Sequence, residues 1–251
     1  MNRWTAGERL AACILSIIAG TWAAASDANQ APVAAAFAAV EEEASAQKIG
    51  AELQRSCVWL ASAPTGRQVF AAFRKPFELA AAPTSAMLHL FADSRYLLWI
   101  NGQYVDRGPC RFDPIAPEYD TLDVRPYLKQ GTNAITVLVH HYHDGKSRTN
   151  YVSINGRIVR HAPGLTARLE VHDSDGRATV LQTDRTWRGT TQTRFLPSPT
   201  DRWENTWASI PDRIDARRDA GDWTQSQFDD SAWEKPVSVN GDLWGALRPR
   251  G

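Results

Sequence analysis

Apolar and polar residues alternate in short runs from Val58 to Val239, and turn residues separate nearly all of these runs. The runs are rich in β-branched and aromatic residues, and no apolar stripe of helical period is sustained between them. This pattern is typical of β strands. The strands it predicts are residues 68–73, 77–79, 85–92, 96–100, 103–105, 134–141, 153–154, 157–159, 166–172, 178–182 and 187–191.

Asn101-Gly102 marks the clearest pairing of two of these strands. It separates run 96–100 from run 103–105, and an Asn-Gly pair supplies the two positive φ angles of a type I′ turn. Asn155-Gly156 repeats this chemistry later in the chain. Both pairs predict antiparallel hairpins.

The spacing of the strands predicts an all-β fold, an antiparallel two-sheet β-sandwich of jelly-roll (galactose-binding-like) type. A parallel α/β sheet needs crossover connections of about a dozen residues, usually helical, between its strands. The connections in this chain are too short, or too rich in proline, glycine and charged residues, to form such helices. The sequence therefore argues against a parallel α/β fold.

The N-terminal residues follow the order of a secretory signal. Arg3 and Arg9 precede the apolar run 10–22, and the small residues 23–25 follow it. The run falls short of the about 20 residues that cross a bilayer, and it lacks a charged stop on its far side, which argues against a membrane span. We predict a signal peptide at residues 1–25 and export to the periplasm or the extracellular space.

The remaining chain divides into three predicted parts. Residues 26–55 form a helical or disordered leader, because residues 32–48 are rich in good helix formers but carry no sustained apolar stripe. Residues 56–240 form the β-sandwich module, and residues 241–251 form an exit segment.

The charge balance limits the classes of binding partner, and the cysteine content bears on a possible disulfide. Lysine plus arginine equals aspartate plus glutamate at 28 each, which predicts no nucleic-acid partner and no membrane contact after signal cleavage. Cleavage also leaves two cysteines, Cys57 and Cys110. In an oxidising compartment these either form a disulfide or stay as two free thiols, and the sequence leaves both possibilities open.

Several segments, taken in order, resemble the N-terminal β-sandwich region of bacterial α-L-rhamnosidases and related glycoside hydrolases. The similar pieces are residues 92–105 around the Asn-Gly turn, 119–124 (YDTLDV), 128–133 (LKQGTN), 183–187 (TDRTW), 215–217 (DAR) and 228–233 (FDDSAW). Each piece is weak alone, and their order carries the resemblance. It covers about residues 70–239.

The resemblance also has departures. Residues 140–145 read HHYHDG where such modules usually carry a Gly-Trp-Tyr-like turn, and the acidic residue usual before the DAR element is missing. The family's catalytic helical barrel follows such a sandwich, whereas this sequence stops at Gly251. Because the family's catalytic carboxylates lie in that barrel, the resemblance assigns no catalytic residue to this chain, and whether the chain is itself an enzyme stays uncertain.

The residues themselves show no marked catalytic, metal or cofactor motif. Glycoside hydrolysis needs two carboxyl groups at a set separation, and Asp219, Asp222 and the Asp229-Asp230 pair have instead the context of turn carboxylates. His141, His143 and Asp144 fall short of a convincing metal site because no second ligand cluster accompanies them. We predict no metal and no cofactor.

Ten tryptophans favour a carbohydrate surface, because aromatic rings stack on the apolar faces of sugars. Trp99, Trp187, Trp223 and Trp233 stand in strand or closing patterns and are predicted to pack in the fold. The predicted sugar-binding residues lie instead in one loop after two prolines, where aromatic, acidic and amide side chains mix. They are Asp201, Trp203, Glu204 and Trp207.

The sequence therefore favours an exported, non-catalytic β-sandwich module of an α-L-rhamnosidase-like hydrolase. Its expected partners are a rhamnose-containing glycan and a catalytic barrel in a longer or neighbouring chain. Two alternatives stay open, a stand-alone secreted carbohydrate-binding protein and a small glycosidase in its own right.

Overall fold

A computed structural model describes residues 30–64, 68–110, 112, 116–141, 163–196, 213–218, 221–241 and 244–251. The chain divides into two units, residues 1–45 and 46–251. The described part of the first unit, residues 30–45, is helical. All strands within these described ranges belong to the second unit.

Among the described residues one α-helix precedes the strands, in the region where the sequence predicts a helical or disordered leader. Helix α1 spans Gln30–Arg55, and the run of alanine, glutamate and glutamine within it consists of good helix formers. Within the second unit, the end of α1 contributes Leu53 to a small apolar cluster with Phe91, Tyr119 and Trp244. This cluster ties the last turns of the helix to the sandwich.

Fourteen strands follow among the described residues. They are β1 Val58–Trp59, β2 Val69–Leu79, β3 Pro83–Asp93, β4 Arg95–Ile100, β5 Gln103–Gly108, β6 Glu118–Asp123, β7 Gly131–His141, β8 Gly164–Asp173, β9 Ala178–Gln182, β10 Arg188–Thr190, β11 Phe195–Leu196, β12 Arg213–Ile214, β13 Val237–Ser238 and β14 Arg248–Pro249. Short 3-10 turns lie at Arg125–Tyr127 and Ala216–Arg218.

The strands form two main sheets, which confirms the predicted antiparallel β-sandwich. One sheet has the order β13-β1-β8-β3-β6-β14, with β9 also paired to β8, and the other has the order β10-β2-β7-β4-β5. Strands β11 and β12 pair separately. All described pairings are antiparallel except that of β14 with β6.

Alternate residues of both sheets point into one core. On the five-stranded sheet these include Phe73 of β2, Leu98 of β4 and Val137 of β7, and on the seven-stranded sheet Leu88 of β3 and Leu169 of β8. Each is fully or almost fully buried. Burial of apolar area at this scale is the main force that holds the sheets together.

The Asn101-Gly102 hairpin has the predicted geometry. Asn101 has φ of 52° and Gly102 has φ of 80°, as a type I′ turn requires. The Asn101 side chain also donates to Tyr127 O and Asn133 Oδ1, and its Oδ1 accepts from Ala134 N. The turn is thus fixed to the start of β7.

Strand β2 differs from the prediction, which ended one strand at residue 73 and began another at residue 77. The chain continues straight through Pro76, which pairs with Ala134 of β7. Strand β10 pairs only with residues Ala72 to Arg74, so β2 is open on that side at Pro76 and a missing N–H is tolerated there. The predicted break is therefore wrong.

Other differences concern short or polar strands. Strand β6 was predicted only as a motif and not as a strand, because its sequence EYDTLD is rich in polar residues. The predicted strands at residues 153–154 and 157–159 lie outside the described residues, as does the Asn155-Gly156 turn.

Residues near the C-terminus pack on the seven-stranded sheet. Trp244 and Leu247 are buried, and Arg248 pairs with Glu118 at the edge of the sheet. The thiols of Cys57 and Cys110 are both free, Cys57 buried and Cys110 exposed. No helix within the described residues is long and apolar enough to cross a membrane.

Candidate functional site

The strand register builds a row of side chains across the outer face of the five-stranded sheet, the face turned away from the core. Phe70 of β2 lies opposite His140 of β7, and His140 lies opposite Arg95 of β4. Residues directly opposite in antiparallel strands have their side chains in contact distance. These three residues form the first row, at one end of the sheet.

A second row lies two residues further along the strands. Ala72 of β2 faces Leu138 of β7, Leu138 faces Leu97 of β4, and Leu97 faces Arg107 of β5. The row is apolar except for the arginine on the edge strand. It continues the floor that Phe70 and His140 begin.

The third row, two residues further along, contains Arg74 of β2. It is covered by residues 223–230, which follow the second 3-10 turn. Arg74 is fully buried, and its guanidinium donates to the carbonyl oxygens of Trp223, Gln225 and Ser226 and to Oδ2 of Asp230. These bonds hold residues 223–230 down on the sheet. The segment therefore closes this part of the outer face.

The residues of the first two rows, except Ala72, instead line a cavity of about 410 Å³, which we name the outer-face cavity. Its lining residues are Phe70, Arg95, Tyr96, Leu97, Arg107, Gly108, Pro109, Cys110, Leu138, His140 and Phe195. A volume of this size lies within the range of small-molecule sites.

Aromatic rings form one wall of the outer-face cavity. The rings of Phe70 and His140 stack with centroids 3.8 Å apart, and the ring of Phe195 lies 5.6 Å from that of Phe70. Burial, with smaller contributions from Arg95 and His141, lowers the pKa of His140 to about 3. His140 is therefore a neutral aromatic ring at neutral pH.

Two arginines on adjacent strands form the polar rim. Arg95 and Arg107 are both exposed. At Gly108 an added Cβ would lie 2.3 Å from Oδ2 of Asp120 and 2.7 Å from the Tyr96 hydroxyl, so the close approach of the chain here requires glycine. The rim thus combines guanidinium donors with a closely packed backbone.

A second cavity, of about 470 Å³, adjoins the first at Phe195. Its other lining residues include Trp99, Arg194, Asp222 and Trp223. The rings of Trp99 and Trp223 lie 5.6 Å apart, edge to face. Phe195 therefore stands between two openings on the same face of the sheet.

The four predicted sugar-binding residues, Asp201, Trp203, Glu204 and Trp207, lie outside the described residues. The structure does describe the two ends of the segment that carries them. Leu196 of β11 pairs with Arg213 of β12, so the two ends are held together. Phe195, one residue before Leu196, is in the cavity wall.

The tryptophans predicted to pack in the fold do so. Trp187 and Trp223 are buried, and the half-buried Trp233 packs on Phe228 with ring centroids 5.6 Å apart. The half-buried Trp99 contacts Trp223 as described above. None of them belongs to the lining of the outer-face cavity.

Of the aspartates predicted as turn carboxylates, Asp222 and Asp229 have that role, whereas the carboxylate of Asp230 pairs with the buried Arg74 and Asp219 lies outside the described residues. Asp229 accepts from Ser231 N, and Asp222 accepts from Thr224 N. Hydrogen bonds from the Thr224 and Gln225 side chains lower the pKa of Asp222. Within the described part of the chain, no group of three or more histidine, cysteine or acidic residues is placed to hold a metal ion.

Sequence reasoning did not select the residues of the outer-face cavity. Phe70, Leu97, Arg107, Leu138 and His140 come from four strands and meet only through the register. The one available signal was the alternation along each strand, which turns Phe70 and Ala72 to one face and Val69 and Ala71 to the other. Alternation alone leaves open which face binds a ligand.

The fold and the cavity define an antiparallel β-sandwich domain with an aromatic-walled cavity on the outer face of one sheet. Comparison with known families identifies it further, because the model of the alpha-L-rhamnosidase N-terminal domain matches residues 81–248. The chain belongs to this family. The resemblance found in the sequence is thereby confirmed.

Known relatives match only in part. A curated alpha-L-rhamnosidase of Formosa agariphila is 26% identical over 168 residues, which are 64% of this chain and 17% of that protein. The crystal structure of the GH78 family rhamnosidase of Bacillus sp. GL1 superposes with a TM-score of 0.62 at 31% identity, over 78% of this chain and 19% of that one. This chain thus spans about a fifth of the length of these relatives.

A lectin from Pleurotus ostreatus has a similar fold. It superposes with a TM-score of 0.50 at 18% identity, over 78% of this chain and 46% of that one. At this identity the similarity concerns the fold alone.

Proposed function

We propose that this chain is a non-catalytic, carbohydrate-binding module of an α-L-rhamnosidase-type glycoside hydrolase, and that it binds glycan in the outer-face cavity. The observation that carries the proposal is the aromatic wall of Phe70, His140 and Phe195 beside the guanidinium rim. Membership of the rhamnosidase N-terminal domain family supports the glycan as the class of ligand.

The chemistry of the cavity suits a sugar ring. A pyranose presents apolar C–H faces and a girdle of hydroxyl groups, so it needs an apolar surface flanked by hydrogen-bond partners. Phe195 and the Phe70–His140 stack supply the apolar surface. Arg95 and Arg107 supply donors at the rim.

The same cavity lacks the groups for glycoside hydrolysis among its described lining residues. Hydrolysis uses two carboxyl groups about 5 to 9.5 Å apart on either side of the bond to be cleaved. None of the described residues that line it is acidic. Asp120, which lies beside Gly108, accepts hydrogen bonds from the Tyr96 hydroxyl at 2.6 Å and from Arg250 at 3.3 Å. These bonds give Asp120 a structural role.

The partial coverage of the relatives supports an accessory role. Because the chain spans 17% of the Formosa agariphila relative, we propose that a catalytic barrel in a longer or neighbouring chain is its working partner. The signal-like residues 1–25 support export to the periplasm or the extracellular space.

A stand-alone secreted carbohydrate-binding protein is the second candidate. The observation in its favour is that all lining residues of the outer-face cavity come from one unit of this chain. Such a protein would bind glycan without a catalytic partner.

Isothermal titration calorimetry of the full chain with a rhamnose-containing oligosaccharide tests the proposal. We expect saturable binding that Phe195→Ala weakens about fivefold, the order of one lost aromatic contact of about 1 kcal/mol. Tyr104→Ala is the matched control, because Tyr104 is an exposed aromatic residue of the same sheet outside the cavity.

An aryl-rhamnoside assay of the same preparation tests the non-catalytic part. We expect no turnover. Absence of glycan binding, or equal losses in Phe195→Ala and Tyr104→Ala, would contradict the binding role. Turnover that disappears with a single carboxylate would show instead a small hydrolase.

A further inference from the structure

The outer-face cavity and the second cavity share one apolar floor. Phe70 and Leu97 line the outer-face cavity, Trp99 and Trp223 line the second cavity, and Phe195 lines both. All five side chains belong to one hydrophobic cluster or pack against it. The apolar surface therefore continues from one opening to the other past Phe195.

Leu97 and Trp99 set the spacing of the two cavities. They are two residues apart on β4, where they lie opposite Leu138 and Thr136 of β7, so both side chains are on the outer face. Two residues of a strand span about 6.7 Å. This distance is close to the length of one sugar unit, so successive units of a glycan can contact the two side chains in turn.

The second cavity adds a hydrogen-bond acceptor to this floor. Asp222 is exposed, its Oδ1 accepts from the backbone N–H and the hydroxyl of Thr224, and its Oδ2 accepts from Gln225 Nε2 at 3.0 Å. A carboxylate has about four acceptor positions, so among the described residues these three bonds leave one position for a sugar hydroxyl. Because the same bonds lower the pKa of Asp222, the carboxylate is ionised at neutral pH.

The wall of the second cavity is held in place by the sheet itself. Arg74 Nε donates to Trp223 O at 3.2 Å and Arg74 Nη2 donates to Gln225 O at 2.6 Å, so the chain on either side of Thr224 is fixed to β2. The Trp223 ring also packs edge to face on that of Trp99. A preformed wall lowers the cost of binding, because the ligand has fewer side chains to order.

We propose that the outer-face cavity and the second cavity are adjoining subsites for a single glycan of at least two sugar units, which crosses Phe195. One unit packs on Phe70 and Phe195. The next unit contacts Trp99 and donates a hydroxyl hydrogen bond to Asp222. This inference rests on the proposed function and defines the ligand of that site as an oligosaccharide and not a single sugar.

Calorimetry of the full chain with rhamnose and with a disaccharide of rhamnose measures the contribution of the second subsite. We expect the disaccharide to bind about tenfold more tightly than the monosaccharide, because its second unit binds as part of the same molecule. A single site would gain only about twofold, since either unit of the disaccharide can occupy it.

Asp222→Asn is the variant that tests the second subsite. It keeps one oxygen as an acceptor for Thr224 and replaces the other by an amide donor, so we expect the gain from the second sugar unit to fall from about tenfold to about twofold. Asp229→Asn is the matched control, because Asp229 is an exposed turn aspartate outside both cavities. Trp99→Leu is an independent second variant, which removes the ring and keeps an apolar side chain.

The outcomes are distinct. A gain of no more than about twofold in the wild type, or a gain of about tenfold that survives in both Asp222→Asn and Trp99→Leu, overturns the inference and leaves the proposed function standing. Equal losses of the gain in Asp222→Asn and Asp229→Asn overturn the inference as well. Failure of both sugars to bind overturns the inference and the proposed function together.

Discussion

Nη1 of Arg74 lies 3.1 Å from Oδ2 of Asp230, and this ion pair fastens the FDDSAW segment to the outer face of the five-stranded sheet. The Arg74 side chain is fully buried, and the Asp230 side chain is 14% exposed. The aromatic ring of Phe228 lies 5.8 Å from the same guanidinium. The second aspartate of the segment therefore neutralises a charge that the fold buries.

Loss of Asp230 is accordingly expected to destabilise the protein strongly. Asp230→Asn removes the countercharge and leaves a buried guanidinium, so we expect the free energy of unfolding to fall by about 3 kcal/mol. Urea denaturation measures this change. Asp229→Asn is the matched control, because exposed Asp229 only accepts from Ser231. Equal effects of the two substitutions would show that the ion pair does not hold the segment.

The Asn101 side chain provides a second test, of the link between the hairpin and β7. Asn101→Gly keeps the positive φ but removes three hydrogen bonds, to Tyr127, Asn133 and Ala134. We expect a loss of about 2 kcal/mol, and a further loss of about 1 kcal/mol for Asn101→Ala, which also strains the turn. Thermal unfolding of the three proteins measures both differences. No difference between wild type and Asn101→Gly would mean that these bonds contribute nothing net.

The sequence predicts some strands of this fold correctly and others not. The hairpin at residues 96–105 and strand 178–182 follow from local turn chemistry and alternation, so the sequence predicts them well. The predicted break in β2 is wrong because a proline is costly only where a neighbouring strand needs its N–H. The pairing of β10 with β2 stops at Arg74, so no described strand needs an N–H from Pro76 on that side. The sequence does not predict strand β6, because its residues are largely polar and form a strand only through pairing with β3.

The candidate site was less accessible to sequence reasoning. Its rows depend on pairing between β2, β4, β5 and β7, and a row has no signature in the order of residues along the chain. A tryptophan-rich loop can be recognised from the sequence alone. The contact between Phe70 and His140 can be recognised only once the pairing of β2 with β7 is known. The predicted sugar-binding residues lie outside the described residues, and the described chain before them ends at Leu196, next to Phe195 of the cavity wall.

The predicted sugar-binding role of Trp203 and Trp207 can be tested separately from the cavity. In the double variant Trp203→Ala, Trp207→Ala we expect at least about a tenfold loss of affinity for rhamnose-containing polysaccharide, because two stacking surfaces are removed. Affinity gel electrophoresis of the full chain measures the loss, with Tyr104→Ala as the aromatic control. Unchanged migration of the double variant would remove this loop from the binding role.

The buried histidine of the cavity predicts a pH dependence of stability. Because the pKa of His140 is about 3 in the folded protein and near 6.5 in the unfolded chain, the unfolded state binds an additional proton between these values. The free energy of unfolding therefore falls as the pH drops from 6.5 towards 3, by up to about 1.4 kcal/mol per pH unit. Burial, followed by Arg168, lowers the pKa of His89 also, which acts in the same direction.

Substitution isolates the part that belongs to His140. His140→Gln removes the titrating group, so we expect a shallower dependence of the urea midpoint on pH than in the wild type between pH 6.5 and 4. At pH 7.5 and above, where His140 is neutral in both states, its titration contributes nothing. Parallel curves for the two proteins would refute the depressed pKa.

The central claim is that glycan binds on the outer face of the five-stranded sheet, and backbone amide chemical shifts measured by NMR during a titration with rhamnose-containing oligosaccharide test it most directly. We predict that the shifts of Phe70, Leu97, Arg107, His140 and Phe195 move together along one saturation curve, while those of Met87 and Val180 on the other sheet stay still. Shifts confined to the seven-stranded sheet, or no saturable shift at all, would contradict the account.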